Sequence, residues 1–267
     1  RYHKEITEGM VKIDAEPQIV KQTPLSATIE GNDAMGQVLS TKAMQMAIDK
    51  AKQHGIGMVT VRNSNHYGIA GYYAKMACKE GLIGMSTTNS EAIMVPTFGK
   101  KAMLGSNPIA VAMPAEPYDF FFDASTTVVT RGKLEVYNKL QKPLKDGWAV
   151  DKNGHPSNDA ADVLDNIAAK NGGGIMPLGG STEDTGSHKG YGYAMAVELL
   201  CAALQDGFYG KDLDGKDAEG NKLYKTVPVI ELAKDKDGNA IPAAVGAEAK
   251  TDSYGTTYYV DAAAADA

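Results

Sequence analysis

Gly57-Met-Val-Thr-Val-Arg62, Asn63-Ser-Asn-His-Tyr-Gly68 and Ile69-Ala-Gly-Tyr-Tyr-Ala-Lys-Met-Ala-Cys-Lys79 follow one another without a break. The first run alternates and is β-branched, so it reads as a strand; the second is turn chemistry; the third returns to helical spacing through Tyr73, Met76 and Ala77. Upstream, Ser40 is placed to cap a helix whose apolar face is Ala43, Met44, Ala47, Ile48 and Ala51, with Gly55 as its left-handed terminator. Downstream, Gly81 ends the second helix and Leu82 to Thr88 reads as another strand. A strand, a polar loop, a helix and a strand make a unit that holds a loop on rigid elements.

Further along, Pro108-Ile-Ala-Val-Ala-Met113 and Asp119-Phe-Phe-Phe122 read as buried strands. Ser125 to Leu140 reads as a helix begun by hydroxyl residues, and Asp159 to Lys170 as a short amphipathic one. Glycines at 172–174, 179–180 and 186 lead through Ser187-His-Lys-Gly-Tyr-Gly192 into an apolar helix, Tyr193 to Leu204; such glycines let backbone approach a ligand. Past Gln205 the texture changes. Asp-Gly turns surround a strand expected at Thr226 to Leu232, and the tail reads as an edge hairpin with a loose terminus.

Across 267 residues, 27 Lys+Arg face 33 Asp+Glu, a net charge of −6. Arg1, Arg62 and Arg131 are the only arginines and no basic stripe exists, which argues against a nucleic-acid partner. No apolar run approaches the ~18 residues of a membrane span, and no signal-peptide core is visible at the start, so a cytoplasmic protein is expected. Cys78 and Cys201 lie in separate helical patterns and read as two packed thiols. Asp212, Asp214 and Asp217, or Asp235 and Asp237, have a calcium-loop look. Their Gly falls fourth instead of sixth and no Glu closes the ring, so no metal site is expected.

Three constellations carry possible chemistry. His66, in a loop at a strand end, titrates near neutrality and suits proton transfer, though a loop imidazole also serves a purely structural end. Asp123-Ala-Ser-Thr-Thr127, read as a strand meeting a helix start, offers an anion site or an ordinary cap. Lys189, at a helix entrance, suits a phosphate or simply solvent. Neither a GxGxxG fingerprint with its acidic partner nor a GxxxxGK[ST] loop is present.

At these residues the chain resembles the malate/L-lactate dehydrogenases of the non-Rossmann type, a family that includes sulfolactate and ureidoglycolate dehydrogenases and the diketogulonate and piperideine-carboxylate reductases. The likeness is carried by Val61-Arg-Asn-Ser-Asn-His-Tyr-Gly-Ile-Ala-Gly-Tyr-Tyr73, Leu104-Gly-Ser-Asn-Pro-Ile109, Asp123-Ala-Ser-Thr-Thr127 with Arg131-Gly-Lys133, Pro177-Leu-Gly-Gly180 and His188-Lys-Gly-Tyr-Gly192. The resemblance implies hydride transfer between NAD or NADP and a 2-hydroxy/2-oxo acid pair, with His66 as proton acceptor. It implies cofactor contacts at Ser90, Ala124, Ser125, Thr126 and Lys189, and places Tyr2 near the substrate; Arg62 is a carboxylate partner by charge alone. Two alternatives are a reductase of a cyclic imine or diketo sugar acid, and a catalytically impaired dinucleotide-binding protein.

The implied fold is α/β, with a mixed, largely antiparallel sheet, covering helices and a helical part built from both chain ends. Residues 1–55 are then the N-terminal share of the helical part, and 56–189 the sheet domain. Residues 190–210 form the returning helix, and 211–267 a diverged hairpin and tail. A homodimer is expected.

Overall fold

The computed structural model describes residues 2–210, 247–251 and 257–261. By their contacts the residues fall into two units, Arg1–Tyr224 and Lys225–Ala267. In the first, a short helix α1 (Tyr2–Thr7) precedes strands β1 (Gln18–Gln22) and β2 (Ser26–Glu30), helix α2 (Gly36–His54) and strand β3 (Met58–Arg62). β1 pairs antiparallel with β2, and β2 pairs parallel with β3. Residues 1–55, expected as a helical part, therefore also supply two strands of a three-stranded sheet.

Helix α2 ends as expected: Gly55 adopts φ 85° and its N–H reaches the Ala51 carbonyl. Its start differs. The helix opens at Gly36, a turn before Ser40, because Leu39 is buried and a hydrogen-only residue is needed where the helix meets the loop after β3.

The second sheet is antiparallel, in the order β4 (Gly84–Thr87), β5 (Ile109–Met113), β6 (Phe120–Ala124). Helix α3 (Ala70–Lys79) lies on one face, where Ala70, Ala74, Cys78, Ala110 and Ala112 are buried together. Small side chains let helix and strand approach closely; a Cβ at Gly84 would lie 2.1 Å from the Ala74 carbonyl oxygen. Both cysteines are free thiols, and burial pushes the Cys201 thiol up from its ordinary value.

The expected helix from Ser125 instead begins at Arg131 (α4, Arg131–Lys139). Ser125–Thr127 stay outside the helix because they bond to other chain segments. Thr127 bridges Pro177, and the Val128 N–H donates to the Met176 carbonyl. With β7 (Ala149–Val150), helix α5 (Ala160–Ala169) and β8 (Gly174–Ile175), α4 encloses the largest core cluster, which includes Leu134, Val163 and Ile175. Helix α6 (Ser187–Ala202) starts a turn and a half before the expected Tyr193 and runs into a short 3₁₀ turn, Ala203–Gln205.

The second unit contains an antiparallel hairpin, β9 (Ala247–Thr251) with β10 (Thr257–Asp261). The strand expected at Thr226 to Leu232 and the turns around Asp212 and Asp235 lie outside the described residues. Among the described residues, no helix is long and apolar enough to cross a membrane, and no cluster of His, Cys, Asp or Glu is suited to a metal ion.

Candidate active site

The loop between β3 and α3 is held from several sides. The Asn65 side-chain amide donates to the carbonyls of Asp33 (2.7 Å), Ala34 (3.2 Å) and Met10 (3.4 Å), tying it to the residues before α2 and after α1. Asn63 has φ 49° and its amide donates to Glu30 at 2.9 Å. Gly36 seats the first turn of α2 on the loop: a Cβ there would lie 2.1 Å from the Asn65 carbonyl oxygen and 2.7 Å from that of His66. The loop backbone thus has little room to move, which is what a positioned imidazole requires.

The His66 Nδ1 is 2.6 Å from the Tyr2 hydroxyl. The two sequence-predicted residues are 64 apart in the chain and meet because α1 turns into the segment that also clamps Asn65. Lys12 donates its N–H to the Asp33 carbonyl, and its ammonium lies 3.3 Å from the Asp33 carboxylate. Next to His66, the half-buried Tyr67 stacks on Tyr73, and desolvation pushes its phenol far above its ordinary value. Tyr67 therefore stays protonated near neutrality.

Arg62 is placed differently from His66. Its Nε donates to Glu30 at 2.9 Å and its Nη1 to the Gln205 carbonyl at 3.2 Å. A guanidinium so held joins β2 and β3 to the end of α6, and these bonds occupy part of the fork that a substrate carboxylate would use.

A second group of residues forms a wall of hydroxyls. Ser90 Oγ is 3.3 Å from Ser106 Oγ and accepts the Ser106 N–H at 3.1 Å. The buried Thr126 donates both its hydroxyl and its N–H to the Ser106 carbonyl. Ser125 and Thr127 bond to each other beside it. Ser125 is not at a helix start, so the helix-dipole argument made for it from sequence fails here. That argument belongs instead to Lys189, in the first turn of α6, where the helix's partial positive charge adds to the ammonium. An open cleft of about 320 Å³ is lined there by Leu178, Gly179, Asp184, Gly186, Lys189 and Tyr193 among others. Its wall is continuous with the hydroxyls, since the Leu178 N–H donates to the Thr126 carbonyl at 2.8 Å.

A hydrogen bond links the helix after the imidazole loop to the hydroxyl wall: the Gly71 N–H, in the first turn of α3, donates to Asp123 at 2.7 Å. Asp123 directly precedes Ala124 and Ser125, so the helix that begins after His66 rests on the strand that delivers the wall.

A family model for malate/L-lactate dehydrogenase matches residues 1–248. The chain belongs to the malate/L-lactate dehydrogenase family. It is 41% identical over 232 residues to the malate dehydrogenase of Pyrococcus horikoshii, covering 87% of this chain and 63% of that protein. It is 42% identical over 196 residues to the L-sulfolactate dehydrogenase of Methanocaldococcus jannaschii, covering 73% and 52%. The solved malate dehydrogenase of Entamoeba histolytica matches with a TM-score of 0.77 at 38% identity, covering 80% of this chain and 59% of that one. The chain spans less than two thirds of the length of each of these three proteins.

In this family member the sequence reading passed over Asn89, Asn107 and Glu198, which are buried or half-buried behind the hydroxyl wall. The signal was present: Glu198 is the one charged residue in the otherwise apolar run Tyr193 to Leu204.

Proposed function

We propose that the protein is an NAD(P)-dependent dehydrogenase of a small 2-hydroxy acid of malate or lactate type, with His66 exchanging the hydroxyl proton. The observation that carries this is the Tyr2 hydroxyl at 2.6 Å from His66 Nδ1, on a loop clamped by Asn65 and Gly36. With Nδ1 engaged by Tyr2, proton exchange falls to Nε2. For Nε2 to accept, Nδ1 must carry the hydrogen and donate it to the Tyr2 oxygen, an arrangement the 2.6 Å contact accommodates because a phenol hydroxyl accepts as well as donates.

The residues present fit a dinucleotide. Ser90, Ser125 and Lys189 offer hydroxyl and ammonium donors suited to a pyrophosphate and its sugars. The cleft at Lys189 is open to solvent and backed by Gly190, where a Cβ would lie 2.2 Å from the Leu178 carbonyl oxygen. When bound, NAD(P) supplies hydride acceptance at its nicotinamide ring. Ala124 and Thr126 shape the wall: Thr126 has its hydroxyl turned to backbone carbonyls and holds Ser106 in place. Arg62 we assign to anchoring β3 against Glu30.

The relatives named malate and sulfolactate dehydrogenase support a small hydroxy acid as substrate. The same reading carries a cytoplasmic homodimer; light scattering of the purified chain tests the dimer.

Absorbance at the reduced-nicotinamide band, with malate, lactate, sulfolactate and ureidoglycolate, tests the proposal on wild type and His66→Ala. Turnover of one of these acids by wild type, lost by about 10² or more in the variant, is expected. Equal turnover by both removes His66 from the chemistry. Activity confined to the NAD(P)H-consuming direction assigns the cyclic-imine or diketo-acid reductase reading instead.

A further inference from the structure

Glu198 is 3% exposed, and its two carboxylate oxygens accept three N–H donors. Oε1 takes the Asn89 side-chain amide at 3.0 Å and the Gly210 N–H at 2.7 Å; Oε2 takes the Asn107 side-chain amide at 2.7 Å. Asn107 is fully buried and bonded at both ends of its own amide. Its Nδ2 also donates to the Ala194 carbonyl at 3.0 Å, and its Oδ1 accepts the Ser90 N–H at 3.2 Å. The Asn107 backbone carbonyl accepts the Thr126 hydroxyl at 3.2 Å.

An amide has a donating and an accepting end, whereas an ionised carboxylate only accepts. Glu198 and the Ala194 carbonyl, both pure acceptors on α6, therefore set which way Asn107 is turned: NH₂ toward the helix, oxygen toward Ser90. We infer that Glu198 is a positioning residue for cofactor binding, acting through Asn107 to fix Ser90 and, with it, the Ser90–Ser106–Thr126 wall. This rests on the reading of that wall as the cofactor's seat.

Glu198→Gln is isosteric and separates this role from simple space filling. With its oxygen kept for Asn89 and Gly210, the glutamine NH₂ meets the Asn107 NH₂, donor against donor. The opposite orientation sets that NH₂ against two donors, so the first is favoured. Asn107 cannot escape by flipping, which would set its oxygen against the Ala194 carbonyl and its NH₂ against the Ser90 N–H, so its side chain is pushed aside and Ser90 with it.

The test is NADH affinity by calorimetry and malate KM at saturating cofactor, in the full chain, for wild type, Glu198→Gln, Ser90→Ala and the double variant. Glu198→Gln is expected to raise the NADH Kd about tenfold, equivalent to ~1.4 kcal/mol. Malate KM stays within about twofold, because the Tyr2–His66 pair bonds to none of these groups. In the Ser90→Ala background the same substitution adds little, since the hydroxyl whose placement it disturbs is already gone.

Weaker binding in Ser90→Ala with none in Glu198→Gln overturns the role of Glu198 and leaves the cofactor reading standing. NADH affinity that neither substitution alters, or no binding by wild type, overturns the reading beneath it. If Glu198→Gln does not fold, Glu198→Asp keeps the charge and withdraws it from Asn107, with the same loss expected. Hydrogen exchange on the wild type needs no variant: the Ser90 amide is expected to exchange slowly, and fast exchange there overturns the placement.

Discussion

Gly36→Ala places one methyl group where the structure has room for none. The added carbon would sit 2.1 Å from the Asn65 carbonyl oxygen and 2.7 Å from that of His66. An ordinary contact is ~3.5 Å, so something must retreat by about 1 Å. Helix propensity acts the other way, since Gly to Ala gains up to ~1 kcal/mol in a helix interior and less at a first position. Overpacking costs about 1–3 kcal/mol, so the clash wins. The strain has two outlets. If α2 yields, the melting temperature falls by roughly 3–6 °C for a unit of this size. If the loop yields, His66 moves by about 1 Å and kcat/KM falls toward 10²-fold. The three Asn65 bonds favour retreat of the helix, with a smaller loss of activity. Calorimetry and malate oxidation, measured on the same preparation, divide the effect between the outlets. Wild-type melting together with wild-type kcat/KM would refute the claim that α2 braces the His66 loop.

Tyr2→Phe removes only the hydroxyl on His66 Nδ1, a bond worth ~1 kcal/mol net, so kcat/KM should fall about fivefold to tenfold; unchanged kinetics would detach α1 from the chemistry. Asp159→Ala deletes the cap of α5, whose carboxylate accepts the N–H groups of Ala161 and Asp162. About 1 kcal/mol and a few degrees of melting temperature should be lost while NADH affinity stays put, and an altered affinity would contradict the separation of that core from the site. The Asp151 carboxyl is held below its ordinary value, chiefly by the His155 N–H and also by that of Asn153. A depressed folded value means stability that is present above the unfolded value near pH ~4 and lost as pH falls through the folded one. Asp151→Asn should therefore melt below wild type at pH 7 and converge with it in acid, whereas an equal gap at both pH values would disprove the assignment.

The stretch from Gly57 to Lys79 was legible because its periods change cleanly, from two to none to 3.6, and because Gly55 marks a helix end in the only conformation its position allows. Elsewhere, packing overrode local preference. β1 is exposed along its whole length, so no buried face imprinted an alternation on Gln18-Ile-Val-Lys-Gln22. The hydroxyls after Asp123 have the composition of a cap, yet their backbone groups are taken by Ser106, Leu178 and Pro177, which no local pattern reveals. Gly190 and Gly192 argue against a helix by propensity. α6 nevertheless begins before them, because Gly190 must lie against the Leu178 carbonyl. Among the predicted site residues, Tyr2 with His66 and Ser90 with Thr126 fall into two bonded groups. Arg62, chosen on charge alone, is turned to Glu30, as charge alone cannot distinguish a substrate carboxylate from one in the chain.

Two of the groups that shape the proposed cofactor site lie on one rigid element. Lys189 stands in the first turn of α6 and Glu198 nine residues on, about 13 Å along the axis at 1.5 Å per residue. Between them, the Leu178 backbone lies against Gly190 and donates to Thr126, while Ala194 accepts from Asn107. The helix therefore meets the hydroxyl wall from one end through Leu178 and from the other through Asn107, and Thr126 bonds to both routes. A helix held this way cannot tilt at Lys189 without pulling on Asn107. That gives a physical reason for a carboxylate to be buried there: a purely apolar contact would fill the same space, but it would leave one hydrogen of the buried Asn107 amide unpaired and only the Ala194 carbonyl to hold that amide toward the helix.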